Sequence, residues 1–139
     1  MGSRPTGRTQ TCSSEDARNR LRQARKFAEV AGLIASEGND VEYASVAASL
    51  AVLAGIAASD AACCKALGRR ARGQDHREAA ALLANVEPGG KQAAASLGRL
   101  LSLKDEAHYG LFDIGGNDLK AALRQATGLV EFAELVVTR

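Results

Sequence analysis

Apolar and polar positions along this chain repeat at steps of three and four, which is the spacing of one face of a helix. Leu21, Ala24, Ala28, Ala31 and Ala35 fall on one face, and Arg18, Arg22, Arg25 and Lys26 lie largely around the others. Ser13 or Ser14 caps this first helix, with Glu15 and Asp16 set against the positive end of its dipole. Gly38-Asn39 stops it.

A second helix is expected over about residues 41–67, capped by Asp40 and ended by Gly68. Residues 43–59 carry no charge and are apolar nearly all round, as a central helix must be. Ala47, Ala51, Ala54, Gly55 and Ala58 are small enough to let other helices cross closely. "QDHREAAALLANV" opens a third helix, with Asp75 and Glu78 spaced as a capping box. Pro88 fits the first turn of a fourth, which runs to about Tyr109. Asn117 caps a fifth, with Leu119, Ala122, Leu123, Ala126, Val130, Ala133 and Val137 in period. No useful strand alternation occurs; "LFDI" after Gly110 is the one short candidate. The pattern predicts an all-α, up-and-down bundle of four to five helices.

Composition agrees. The 139 residues suit one domain, and 46% are apolar but only 4% aromatic, with no Trp. A core of Ala, Leu, Val and Ile favours close-packed helices. Residues 1–12 are polar, with Gly and Pro, and read as a disordered tail. The helical domain then covers residues 13–139. The first 20 residues hold no apolar block, so no secretory signal is expected. Three cysteines is an odd count, and the adjacent Cys63 and Cys64 cannot easily bridge each other. These features together predict a reducing, cytoplasmic compartment and no membrane span.

A net charge of +2 exerts little global pull on nucleic acid, so any basic function must come from clustering. Arg69, Arg70, Arg72 and Arg77, with Lys65, form one such cluster. They serve either as dipole partners at a helix end or as holders of RNA phosphates. No aromatic is interleaved to stack bases. Asp60 lines up with Leu53, Ile56, Ala57 and Cys64, and a carboxylate on an apolar face needs a partner. The candidates are an Arg, Lys104, His108 or a tyrosine hydroxyl.

Cys63, Cys64 and His76 do not have zinc-ligand spacing, and no fourth ligand is evident, so no metal is expected. "EPGGKQA" lacks the spacing, the Ser or Thr and the preceding strand of a phosphate loop. No cofactor is implied. In "LLSLKDEAHYG", Leu97, Leu101, Lys104 and His108 follow at helical steps. The core stripe of the fourth helix thus ends in two ionisable groups one turn apart, with Tyr109 beside them.

The helical order, with "ASLAVLAGIAASDAACCKALGRRARGQDH", "LGRLLSLKDEAHYG" and "ALRQATGLVEFA", resembles the HEPN superfamily from about Ser14 to Val137. It looks closest to a small actinobacterial-type HEPN group. The resemblance implies a helical bundle that dimerises, often beside a minimal nucleotidyltransferase in toxin–antitoxin or defence pairs. Active members are metal-independent RNases whose motif is an Arg, four to six residues, then a His. Here Lys104 precedes His108 by three intervening residues, and Lys lacks the planar fork of Arg. Arg69 or Arg70 to His76 has the spacing, but Gly73 and the Asp75 cap interrupt it. "RRARGQDH" therefore reads chiefly as a helix end, a turn and a cap.

The expectation is a homodimeric binding or regulatory module whose partners are a nucleotidyltransferase or RNA. One alternative is a metal-independent ribonuclease, with His108 as acid or base and Lys104 stabilising charge. Another is a structural or DNA-associated regulator.

Overall fold

The computed structural model describes residues 8–38, 40–72, 76–108 and 115–139, with side chains for all of these except 76 and 104–108. Five helices form a bundle: α1 (Ser14–Glu37), α2 (Val41–Leu67), α3 (His76–Leu83), α4 (Gly90–His108) and α5 (Gly116–Val137). Two three-residue strands, β1 (Thr9–Thr11) and β2 (Arg69–Ala71), clasp one end. The all-α bundle read from the periodicity is the fold observed.

Local signals set the helix ends. Ser13 closes a capping box at α1: its Oγ accepts from the Asp16 amide at 3.1 Å, and Asp16 Oδ2 accepts from the Ser13 amide at 2.9 Å. Asp40 Oδ1 accepts from the Tyr43 amide and caps α2. Gly68 ends α2 at φ 73°, a left-handed conformation that glycine adopts without steric cost, and its amide donates to the Cys64 carbonyl.

Two expected starts move. α4 begins at Gly90, because Pro88 and Gly89 belong to the turn that follows α3. A Cβ at Gly90 would lie 2.6 Å from the Leu83 carbonyl oxygen, so that turn is tight. α5 is entered through Gly115, and Asn117 sits in its first turn rather than capping it. The Asp75 cap and "LFDI" lie outside the described residues.

α2 is the axis of the bundle and touches the other four helices. Ala47, Ala51, Ala54, Gly55 and Ala58 are buried. A Cβ on Gly55 would stand 2.7 Å from Leu100 Cδ1 and 3.2 Å from Leu129 Cδ1, so this glycine is where α4 and α5 close on α2. Leu21 from α1, Leu83 from α3, Leu97 and Leu100 from α4, and Leu129 and Val136 from α5 complete the core. α2 is the one helix among the described residues long and apolar enough to cross a membrane. Its most apolar stretch is 72% buried by its neighbours, and that core position accounts for its composition.

The N-terminal expectation needs correcting. Thr9–Thr11 do not belong to a disordered tail; they pair antiparallel with Arg69–Ala71, with Gln10 opposite Arg70. The arginine stretch is likewise not a helix end running into a turn, because Arg69 and Arg70 sit in a strand. Short-range propensity could not reveal this pairing, since its two halves lie about sixty residues apart in sequence.

Candidate functional site

The clasp is fixed covalently. Cys12 follows β1, Cys64 lies in the last turn of α2, and their sulfurs are bonded at 2.11 Å. The Cys12 amide also donates to the Gly68 carbonyl, and the Arg72 amide to the Arg8 carbonyl, extending the ladder at both ends. Cys63 is the free cysteine. The expectation of reduced thiols weighed the wrong pair: adjacent Cys63 and Cys64 are indeed not bridged, but Cys64 reaches Cys12.

Side chains alternate across a strand pair, and directly paired residues share a face. Arg8, Gln10 and Cys12 therefore lie on one face with Arg70 and Arg72, while Ala71 points the other way and packs on the core. Arg70 Nη2 donates to Gln10 Oε1 at 3.2 Å across the pair. Arg8, Arg69 and Arg72 are exposed, and Arg70 and Lys65 are half-buried. Five of these cations thus gather at the end of α2 and on the ribbon that follows it. Arg77 opens α3, which packs against β2.

Between the ribbon and α1 lies a cleft of about 420 Å³. Gln10, Arg70, Asn19, Arg20 and Gln23 line it, with both cysteines of the disulfide in its wall. At its edge Arg20 meets Asp60 across the α1–α2 interface, at 2.8 Å from Nη2 and 3.1 Å from Nε. Asp60 does have an arginine partner, one contributed by α1 that the periodicity alone did not single out. Burial pushes the Asp60 carboxyl above its ordinary value, against the opposing pull of the Arg20 and Arg70 charges. Asp16, in the same cleft, shifts the other way. The Ser13 amide and hydroxyl hold its carboxylate below the ordinary value, with help from Arg70.

Cys63 is 1% exposed, and burial together with the nearby Asp60 charge pushes its thiol up to about 12. It is unreactive as a nucleophile near neutral pH. With Cys64 bonded to Cys12, Cys64 is not available to join Cys63 and His76 as a metal ligand.

The Lys104–His108 pair falls on α4, whose helical backbone places the two residues one turn apart on one face. Their side chains, and Tyr109 entirely, lie outside the described residues. Leu97 and Leu101, the upper part of the same stripe, are buried in the core.

Sequence reasoning missed Arg8, Gln10, Cys12, Arg20 and Gln23, all from the N-terminal arm and the first turns of α1. An unpaired count of three cysteines, one of them just before a strongly capped helix, was the signal that could have found the clasp. No family model matches this chain, and neither do any of the curated proteins or the solved structures.

Proposed function

We propose that the chain is a non-catalytic helical binding module that holds the phosphates of RNA on its arginine ribbon. The observation that carries this reading is the register of the strand pair. It sets Arg8, Arg70 and Arg72 side by side on one face of a two-stranded ribbon, with Arg69 exposed on the other face. Guanidinium forks at such spacing suit phosphate oxygens better than scattered surface charges do. Among the described residues no aromatic side chain lines the cleft, so recognition is through the nucleic-acid backbone rather than base stacking.

In this reading the chain is a HEPN-like member of a toxin–antitoxin or defence pair, with a nucleotidyltransferase or RNA partner. The five-helix order supports it. A homodimer is part of the proposal. Val46 and Leu53, 48% and 42% exposed and two turns apart on α2, offer an apolar stripe for a second copy.

The test is RNA affinity against salt concentration for the wild type and for Arg69→Gln/Arg70→Gln/Arg72→Gln. Each phosphate contact on a single strand contributes about −0.7 to the log–log salt slope, so losing the two on the ribbon face, from Arg70 and Arg72, should flatten it by about 1.4. Binding should weaken while the helical circular dichroism is kept. Equal affinity and equal slope in the two proteins would overturn the assignment.

A further inference from the structure

We infer that the cleft is a thiol–disulfide exchange site, in which a small carboxylate-bearing thiol attacks Cys12 and opens the clasp. Both cysteines of the disulfide line an open cleft whose volume, about 420 Å³, lies within the range of small-molecule sites. The two cysteines are not equally accessible: Cys12 is half-buried, whereas Cys64 is 3% exposed. Attack therefore falls on Cys12, with Cys64 as the leaving sulfur.

The charges around the disulfide decide what kind of thiol suits the cleft. Asp60 is paired with Arg20, whereas Asp16, capped by Ser13, keeps its charge and is offset in part by Arg70. Among the described residues, the side-chain hydrogen bond of Arg70 goes to the neutral Gln10. The Arg70 guanidinium can thus meet a carboxylate on the incoming thiol. Cys63 does not interfere, because its buried thiol, pushed up to about 12, supplies almost no thiolate to re-form a bond with either neighbour.

The reaction balances as two exchanges. A thiolate forms a bond to Cys12 Sγ, the Cys12–Cys64 bond breaks, and its electron pair leaves on Cys64 Sγ, which takes a proton from water. A second thiolate attacks the sulfur of the bound small thiol. The small-molecule disulfide departs and Cys12 leaves as a thiolate that is then protonated. Two small thiols are oxidised and one protein disulfide is reduced.

The consequence is mechanical. Once the disulfide opens, β1 is held by a three-residue pairing and a few flanking hydrogen bonds. An isolated two-stranded pair of this length is marginal in water. The arm then detaches and takes Arg8 and Gln10 away from the ribbon face.

The experiment incubates the native full chain with millimolar reduced glutathione, which exchanges with disulfides through its thiolate. Acid quenching and peptide mapping then locate the adduct. The expected result is glutathione on Cys12, a free Cys64 thiol, and faster hydrogen exchange at the Cys12 and Arg72 amides, with α2 unchanged. A native chain that stays oxidised, or an adduct on Cys64 or Cys63, overturns the inference, as does unchanged protection of the ribbon after reduction.

Charge selection is read separately, as the glutathione rate over the cysteamine rate, each per unit of thiolate. Glutathione should be faster. Arg70→Gln should lower that ratio about threefold, the effect of one screened charge at close range. A wild-type ratio at or below one, or a ratio indifferent to Arg70→Gln, overturns the role of the cleft charges.

Discussion

Arg20 donates from both Nε and Nη2 to a single oxygen of Asp60, Oδ2, and so ties the outer face of α1 to the buried face of α2. The Asp60 side chain is 10% exposed and the Arg20 side chain 30%. Removing the arginine leaves a carboxylate buried without its counter-charge. Arg20→Ala should therefore cost about 3 kcal/mol, the low end for a broken buried pair because Arg20 is partly solvated. Asp60→Asn keeps an acceptor for the guanidinium and should cost about 1 kcal/mol. Urea unfolding of the two variants checks the order, and a smaller loss for Arg20→Ala than for Asp60→Asn would contradict it.

Two carboxylates at this end of the bundle, Asp60 in the α1–α2 interface and the exposed Asp16 in the α1 cap, should act on stability with opposite signs. Asp60 has a raised value in the folded state. Its contribution is fully present below the unfolded value of about 3.9 and is lost as pH rises through the higher folded value. Asp16 has a lowered one. Its contribution is present above about 3.9 and is lost as pH falls through the lower folded value. Unfolding free energy measured from about pH 2 to pH 7 should thus lose part of its acid-side drop in Asp16→Asn. In Asp60→Asn it should lose a component that declines just above the ordinary carboxylate range. A shared direction of change in the two variants would refute this.

Thiol counting should give an unusual series. Native protein should show no titratable thiol at about pH 8, because Cys63 is buried with its thiol pushed up to about 12 and the other two are bonded. Unfolding without reductant should release one thiol, and unfolding with reductant three. A native count of one would mean that Cys63 is accessible. The bridge closes a span of 52 residues, so Cys12→Ala should destabilise the chain by about 4 kcal/mol on chain-entropy grounds.

Glycines on the helices should separate into two groups. Gly55→Ala puts a methyl 2.7 Å from Leu100 Cδ1 inside the core, an overpacking worth about 1–3 kcal/mol of destabilisation. Nothing lies within 4 Å of a Cβ at Gly98 or Gly128, so alanine there should stabilise by about 0.5–1 kcal/mol through helix propensity alone. Thermal unfolding midpoints should move in opposite directions.

RNA cleavage should be slow or absent. Lys104 supplies a point charge and not the bidentate fork that suits a developing phosphorane, and Asp105 and Glu106 follow it in the chain. Labelled RNA in EDTA, compared between wild type and His108→Ala, is the check. Strong wild-type cleavage that vanishes in the variant would promote the ribonuclease alternative.

The sequence by itself determined the helices and their order. Periodicity at three- and four-residue steps follows directly from helix geometry, and Ser13, Asp40 and Gly68 act within one turn of where they stand. It also determined that α2 is central, because a helix apolar on every side has no stable place at a surface. It showed that Asp60 needs a partner but not which one, since Arg20 lies 40 residues away on a helix rich in other arginines. Only the tertiary structure decided the clasp. Three-residue strands carry too little pattern to be read, and their pairing and the Cys12–Cys64 bond exist because the α1–α2 hairpin returns the end of α2 to the start of α1. That return makes a face out of the arginines and places a disulfide in a cleft. Contacts between residues far apart in sequence leave no periodic trace in the segments that make them.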